Sequence, residues 1–283
     1  AYADHPEQAP LFDPDFVRGL EGFHALRFMD WTQTNGSRQM KWTDRPVPGD
    51  RTFGAGKGMP WEHAIALSNL IGADAWICTP HAADDDYLKR LATLFRDSLR
   101  KDLKTYLEYS NEVWNWGFEQ AHWVGMNGYS VPWGSTVHEM EAASDLRDSL
   151  KAVGLKVCKD TTSYCHPEKD AWMMGRLFRI WEPVFATQRN RLVTVATGQH
   201  ARTDNSRRIL AWLVDSMRIV PDAFSVGGYV GYETSEGDPI PRSVIPRAHD
   251  SILNNYFHNQ WMLNPESVKA SDVTDALNAV FPY

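Results

Sequence analysis

Short apolar runs alternate with stretches of helical periodicity along this chain, and that alternation is what most limits its fold. Residues 25–30, 73–79, 103–110, 192–198 and 223–229 are near-continuous apolar segments. Such segments suit strands buried on both faces of a parallel sheet. Between them lie helix signatures. Asp13-Pro14 precedes Phe16, Val17 and Leu20 and is closed by Gly22; the stretch from Pro60 to Gly72 puts Trp61, Ala64, Ile65, Leu67 and Ile71 on one face. Asp84 is placed to cap a helix whose Tyr87, Leu88, Leu91, Leu94, Phe95 and Leu99 recur at helical spacing. Further helices are expected over residues 117–127, over 168–187, around Ile209 to Met217, and over 252–262 and 268–280.

Strand and helix in strict alternation predict an α/β fold with a helix-covered parallel sheet. No Gly-x-Gly-x-x-Gly and no Gly-rich Lys-Ser/Thr loop follows any run, and polar and aromatic residues gather after the strands. Both points favour a (β/α)8 TIM-barrel type over an open doubly wound sheet. Five strands, with a sixth candidate at 155–159 that also reads as an extended loop, fall short of eight. The expectation is therefore one barrel-type domain over residues 1–283, incomplete in this chain, with its first strand before Ala1 and its seventh after Tyr283. Residues 129–167 break the alternation and read as an insertion, with Thr136-x-x-Glu139 as a capping-box candidate.

A formal charge of -7 and a pI near 5.8, without any basic stripe, argue against a nucleic-acid partner. No apolar stretch approaches the roughly 20 residues that span a bilayer, so no membrane association is expected. Cys158 and Cys165 can close a small loop in an oxidising compartment; three reduced cysteines are the alternative. The chain begins with Ala1 rather than Met, which is compatible with a removed targeting segment. A secreted or periplasmic location is expected, with the cytoplasm as the alternative. Oligomeric state is not encoded legibly.

Chemistry concentrates in residues 106–116, Tyr-Leu-Glu-Tyr-Ser-Asn-Glu-Val-Trp-Asn-Trp. A carboxyl such as Glu112 can deliver a proton to a glycosidic oxygen, Asn111 can hold a sugar hydroxyl, and the indoles of Trp114 and Trp116 can stack on a pyranose ring. The plainer reading is a strand end with an exposed acid. Twelve tryptophans are many for this length, and Trp31 is another indole set among polar residues after a strand. Gln199, just past the fourth run, is placed to face the same mouth.

These residues carry a resemblance. Leu26-Arg-Phe-Met-Asp-Trp31, Asp44-Arg45, Gly72-Ala-Asp-Ala-Trp76, Pro80-His-Ala-Ala-Asp-Asp-Asp86 and Tyr109-Ser-Asn-Glu-Val-Trp-Asn115 together resemble the clan of retaining (β/α)8 glycoside hydrolases, most closely its bacterial cellulase-like or "cellulose-binding" members. The resemblance spans roughly residues 12–123 and, more loosely, 168–232. It implies hydrolysis of β-linked glycans by double displacement, with Glu112 as general acid/base at the end of the fourth barrel strand and Asn111 on the sugar 2-hydroxyl. It also implies Arg27 as support for the second carboxylate, His81 in the glycon subsite and Tyr229 on the nucleophile. Each has a structural alternative: an ion-paired arginine, a backbone-bonded histidine, a strand-end aromatic. The clan's nucleophile, a Glu on the seventh strand, has no counterpart; Glu233 and Glu236 lie in a Thr-Ser-Glu-Gly-Asp setting that reads as a solvated loop.

Two other chemistries compete. His81 with Asp84, Asp85 and Asp86 has the composition of a metal site, but acids in a first helical turn complement the dipole without one, so no metal and no cofactor is expected. No Gly-x-Ser-x-Gly elbow supports a serine hydrolase. A non-catalytic carbohydrate-binding barrel is the rival to the hydrolase.

Overall fold

The computed structural model describes residues 11–53, 56–127, 166–199 and 202–226. Five strands, β1 (Ala25–Phe28), β2 (Asp74–Thr79), β3 (Thr105–Tyr109), β4 (Leu192–Gly198) and β5 (Ala223–Val226), form one sheet in sequential order, every neighbouring pair parallel. Among the described residues six α-helices accompany them: α1 (Pro14–Gly19), α2 (Trp61–Ile71), α3 (Asp85–Ser98), α4 (Glu119–Asn127), α5 (His166–Val184) and α6 (Thr203–Ala211). A strand order that never reverses puts each right-handed crossover on the same side, so the sheet curls with helices outside. Among the described residues this is half of a barrel, where the sequence pattern led to an expectation of the (β/α)8 type.

The caps follow local chemistry. Asp13 Oδ1 accepts from the backbone N–H of Asp15 at 2.8 Å and of Phe16 at 3.1 Å, with Pro14 opening α1. Asp84 Oδ1 accepts from Tyr87 N at 2.8 Å to start α3, and Gly72, at φ 79°, ends α2 in the left-handed region that its missing Cβ permits. Several expected elements are shorter. β1 stops at Phe28 because Asp30–Thr32 winds into a 3-10 turn, and β3 stops at Tyr109 because Ser110 takes φ 51°. α5 carries Pro183 in its last turn, without an N–H for the Arg179 carbonyl, and beyond Val184 the chain tightens to 3-10 geometry over Ala186–Arg191. The helix expected through Met217 ends as a π-turn over Trp212–Ser216. The insertion at 129–167 up to residue 165, the Cys158–Cys165 pair and the last two expected helices lie outside the described residues.

Sheet register separates the two faces. The rows Leu26-Ala75-Thr105-Leu192 and Phe28-Ile77-Leu107-Thr194 are buried throughout. They belong to a core shared with Trp61, Leu67, Leu91, Phe95, Leu177 and Trp181 of the helices. Between them, the row Arg27-Trp76-Tyr106-Val193 is partly open. With period-two side chains, this row and Cys78-Glu108-Val195 share the concave face.

Candidate active site on the strand rim

In a parallel sheet every strand C-terminus lies on one rim, and here the rim carries the polar turn after β3. Two residues of this turn leave ordinary backbone space: Ser110 at φ 51° and Glu112 at φ 42°. Side chains with a Cβ pay for that geometry, on the order of 1–2 kcal/mol each, so the surroundings must impose it. Gln120 Nε2 donates to the Asn111 carbonyl at 2.8 Å, and Asn115 N donates to the Glu112 carbonyl at 2.8 Å. Asn115 Nδ2 donates to Glu112 Oε2 at 3.0 Å, and Asn115 Oδ1 takes the N–H of Gly117 at 3.0 Å. Glu112 thus leaves the sheet half-buried, on a turn pinned from both sides.

Beneath it lies an ion pair on the concave face. Arg27 donates from Nε to Glu108 Oε2 at 3.0 Å and from Nη2 to Glu108 Oε1 at 2.8 Å, a forked pair. Glu108 Oε2 also accepts from Trp76 Nε1 at 2.7 Å and from the Cys78 thiol at 3.4 Å. The Glu108 side chain is 4% exposed and that of Arg27 35%. Burial works against the arginine's charge, but the Glu108 bond and the negative fields of Glu108 and Glu112 raise its pKa. Burial, with Glu108 adding to it, holds the Cys78 thiol well above its usual range. Cys78 therefore keeps the proton it donates.

Asn111 connects the pair to the rim. Arg27 Nη2 donates to Asn111 Oδ1 at 3.0 Å, while Asn111 Nδ2 donates to Asn35 Oδ1 at 3.0 Å. Asn35 Oδ1 also accepts from Gln120 Nε2 at 2.6 Å, and Gln120 Oε1 accepts from Gly36 N at 3.1 Å. A guanidinium only donates, and so does a backbone N–H, so the two ends of the chain fix every amide orientation between them. The bonds with Arg27 and Asn35 use one lone pair and one N–H of the Asn111 amide, whose residue is 4% exposed.

The other expected residues each have their own surroundings. His81 is 3% exposed, its ring 5.5 Å from that of Trp123, its carbonyl accepting from Tyr109 Oη at 2.8 Å. Burial lowers its pKa to about 4, so its ring is neutral. Trp31 sits in an apolar cluster, its ring 5.6 Å from Phe28 and 6.3 Å from Phe12. Trp114 packs against the core, whereas Trp116 is 43% exposed with its ring 5.1 Å from His122. Gln199 is half-buried at the end of β4. Tyr229, Glu233 and Glu236 lie outside the described residues.

The acidic cluster before α3 divides among separate cations. Asp84 pairs with Lys41 at 2.8 Å, Asp85 with Arg176, and Asp86 with Arg90 at 2.8 Å. Among the described residues no group of three or more His, Cys, Asp or Glu side chains is placed to hold a metal ion, and no helix is long and apolar enough to cross a membrane.

Glu108, Trp76, Cys78, Asn35 and Gln120 are the residues that sequence reasoning missed. A signal was present for Glu108. Glu108 and Arg27 are opposite charges inside strands that otherwise read as buried, and buried charges come in pairs. Asn35 and Gln120 carried none, because a loop amide and a helix glutamine are ordinary where they stand.

No protein-family model, curated protein or solved structure matches this chain.

Proposed function

We propose that the protein is a glycoside hydrolase of the retaining (β/α)8 type, cleaving β-linked glycans with Glu112 as general acid/base. The observation that carries this reading is the turn after β3. An acid stands on a strained, doubly pinned backbone at the C-terminal rim of a parallel sheet, beside an amide oriented by an arginine. Strain of this kind clusters at sites of chemistry, and this rim is where barrels perform it. In the proposed cycle Glu112 gives its proton to the leaving glycosidic oxygen as the anomeric carbon bonds to a second carboxylate. Glu112 then takes a proton from the water that releases the sugar. Trp116, exposed among the described residues, would stack on a ring beyond the scissile bond.

One observation favours a second reading. Glu108, which shares Arg27's field with Glu112, already accepts from Arg27 twice, Trp76 and Cys78, so it is not a free nucleophile. A barrel that binds glycans without cleaving them would need no nucleophile at all.

Aryl β-glycosides with phenol and dinitrophenol leaving groups separate the readings. The hydrolase predicts turnover in the parent, and in Glu112→Gln a loss of about 10²–10⁴-fold on the phenyl substrate with oligosaccharide binding kept. A parent that binds oligosaccharide but turns over neither substrate leaves the binding module; equal rates in parent and Glu112→Gln remove Glu112 from the chemistry.

A further inference from the structure

We infer that Glu108 is a positioning residue that sets the Asn111–Glu112 turn through Arg27, and that its buried charge offsets the arginine's beside the acid. This inference rests on the reading of Glu112 as a proton donor.

The geometry supplies the first half. A guanidinium is a rigid plane, and two parallel bonds to Glu108 fix that plane. The remaining hydrogen on Nη2 then has one direction, and the acceptor found there is Asn111 Oδ1 at 3.0 Å. Asn111 passes the constraint to Asn35 through Nδ2, and Gln120 ties both Asn35 and the Asn111 carbonyl into the same net. Glu108 itself is held by Trp76 and Cys78 from the neighbouring strand. The orientation of the rim amide is therefore decided two residues deep inside the sheet.

Charge supplies the second half. A general acid must keep its proton until the leaving group needs it, and a nearby unpaired cation favours the carboxylate instead. Arg27 donates to Asn111, the residue next to Glu112 in the chain, at 3.0 Å. Glu108 places a compensating anion on the same guanidinium, on the side away from the rim. Apolar residues of the same volume often replace a buried ion pair without loss of stability, so packing alone gives little reason for one here.

Glu108→Gln tests this, in the full chain, with near-ultraviolet circular dichroism to establish the fold. The first readout needs no activity. The side-chain amide protons of Asn111, assigned by their loss in Asn111→Asp, are expected to exchange slowly in the parent and at least tenfold faster in Glu108→Gln. The second is the pH–rate profile on the phenyl β-glycoside, whose basic limb is expected to move to lower pH by about 1–3 units. A folded Glu108→Gln that keeps both the parent amide exchange and the parent limb overturns the inference. If the parent shows no turnover, the hydrolase reading falls, and the amide exchange alone decides whether Glu108 positions Asn111. Should Glu108→Gln not fold, Glu108→Asp carries the test: it keeps the anion but cannot reach both guanidinium nitrogens, so the limb stays while the amide exchange accelerates. Unchanged exchange in that variant overturns the inference as well.

Discussion

Replacing Asp170 by Asn should stabilise the protein at neutral pH and leave it unchanged near pH 4. Asp170 is 1% exposed in α5, and neither carboxyl oxygen has a hydrogen-bond partner among the described residues. Burial pushes its pKa well above the ordinary carboxylate range, and the negative field of Glu108 pushes the same way. In the unfolded chain the same group titrates near about 3.9. Below that value both states hold the proton and the residue has no pH-dependent effect. Above it the unfolded chain releases a proton that the folded chain keeps, so stability falls by about 1.4 kcal/mol per pH unit until the folded carboxyl ionises. Asn has the same shape and no such slope. From pH 5 upward the advantage of Asp170→Asn should therefore grow with pH for as long as the folded carboxyl keeps its proton, as a gap in Tm that widens step by step. Urea denaturation of parent and variant in parallel from pH 4 to 8 measures the difference, in which all other titrations cancel. A difference that stays flat with pH, or a parent more stable at pH 7, would mean an ionised and partnered Asp170 and would refute the reasoning.

Two further substitutions probe the loop beside the rim and the opposite, N-terminal edge of the sheet. Gly58→Ala should cost about 2–5 kcal/mol, because φ is 74° and the new Cβ would lie 2.4 Å from the Thr32 carbonyl carbon and 2.6 Å from Gln33 N, backbone that cannot swing away. Thermal denaturation reads the loss; a drop under about 1 °C would show that the loop bearing Asn35 yields freely. Arg191→Lys should cost about 2–4 kcal/mol in the same assay, since the buried guanidinium donates to the carbonyls of Leu103 at 3.1 Å, Arg96 at 3.0 Å, and Leu99 and Arg100 at 2.9 Å. An ammonium has three donors and no fork, and a lysine that restored the parent Tm would contradict that account.

The elements were legible in the sequence because their causes are local. Asp13, Asp84 and Gly72 act on backbone groups within one turn, and the apolar runs at β2 and β4 could satisfy burial in one way only. Glu112 and Asn111 stood out in the sequence as candidates for a similar reason: an acid and an amide directly follow a buried strand. Their partners were not. Arg27 and Glu108 are 81 residues apart, and Asn111 and Asn35 are 76 apart. Which of the chain's charges and amides meet is set by parallel register, since Arg27 stands beside Trp76 and Cys78 beside Glu108 only once three strands have aligned. His81 illustrates the same limit from the other side: a polar residue at a strand end looked available, and the packing of Trp123 against it closed it off. Sequence alone determined which segments become strands and which helices, because caps and periodicity act within a few residues, while several of their ends were set by the turns that follow. Only the tertiary structure decided which side chains share the rim, because hydrogen bonds across strands depend on distances the linear order does not contain.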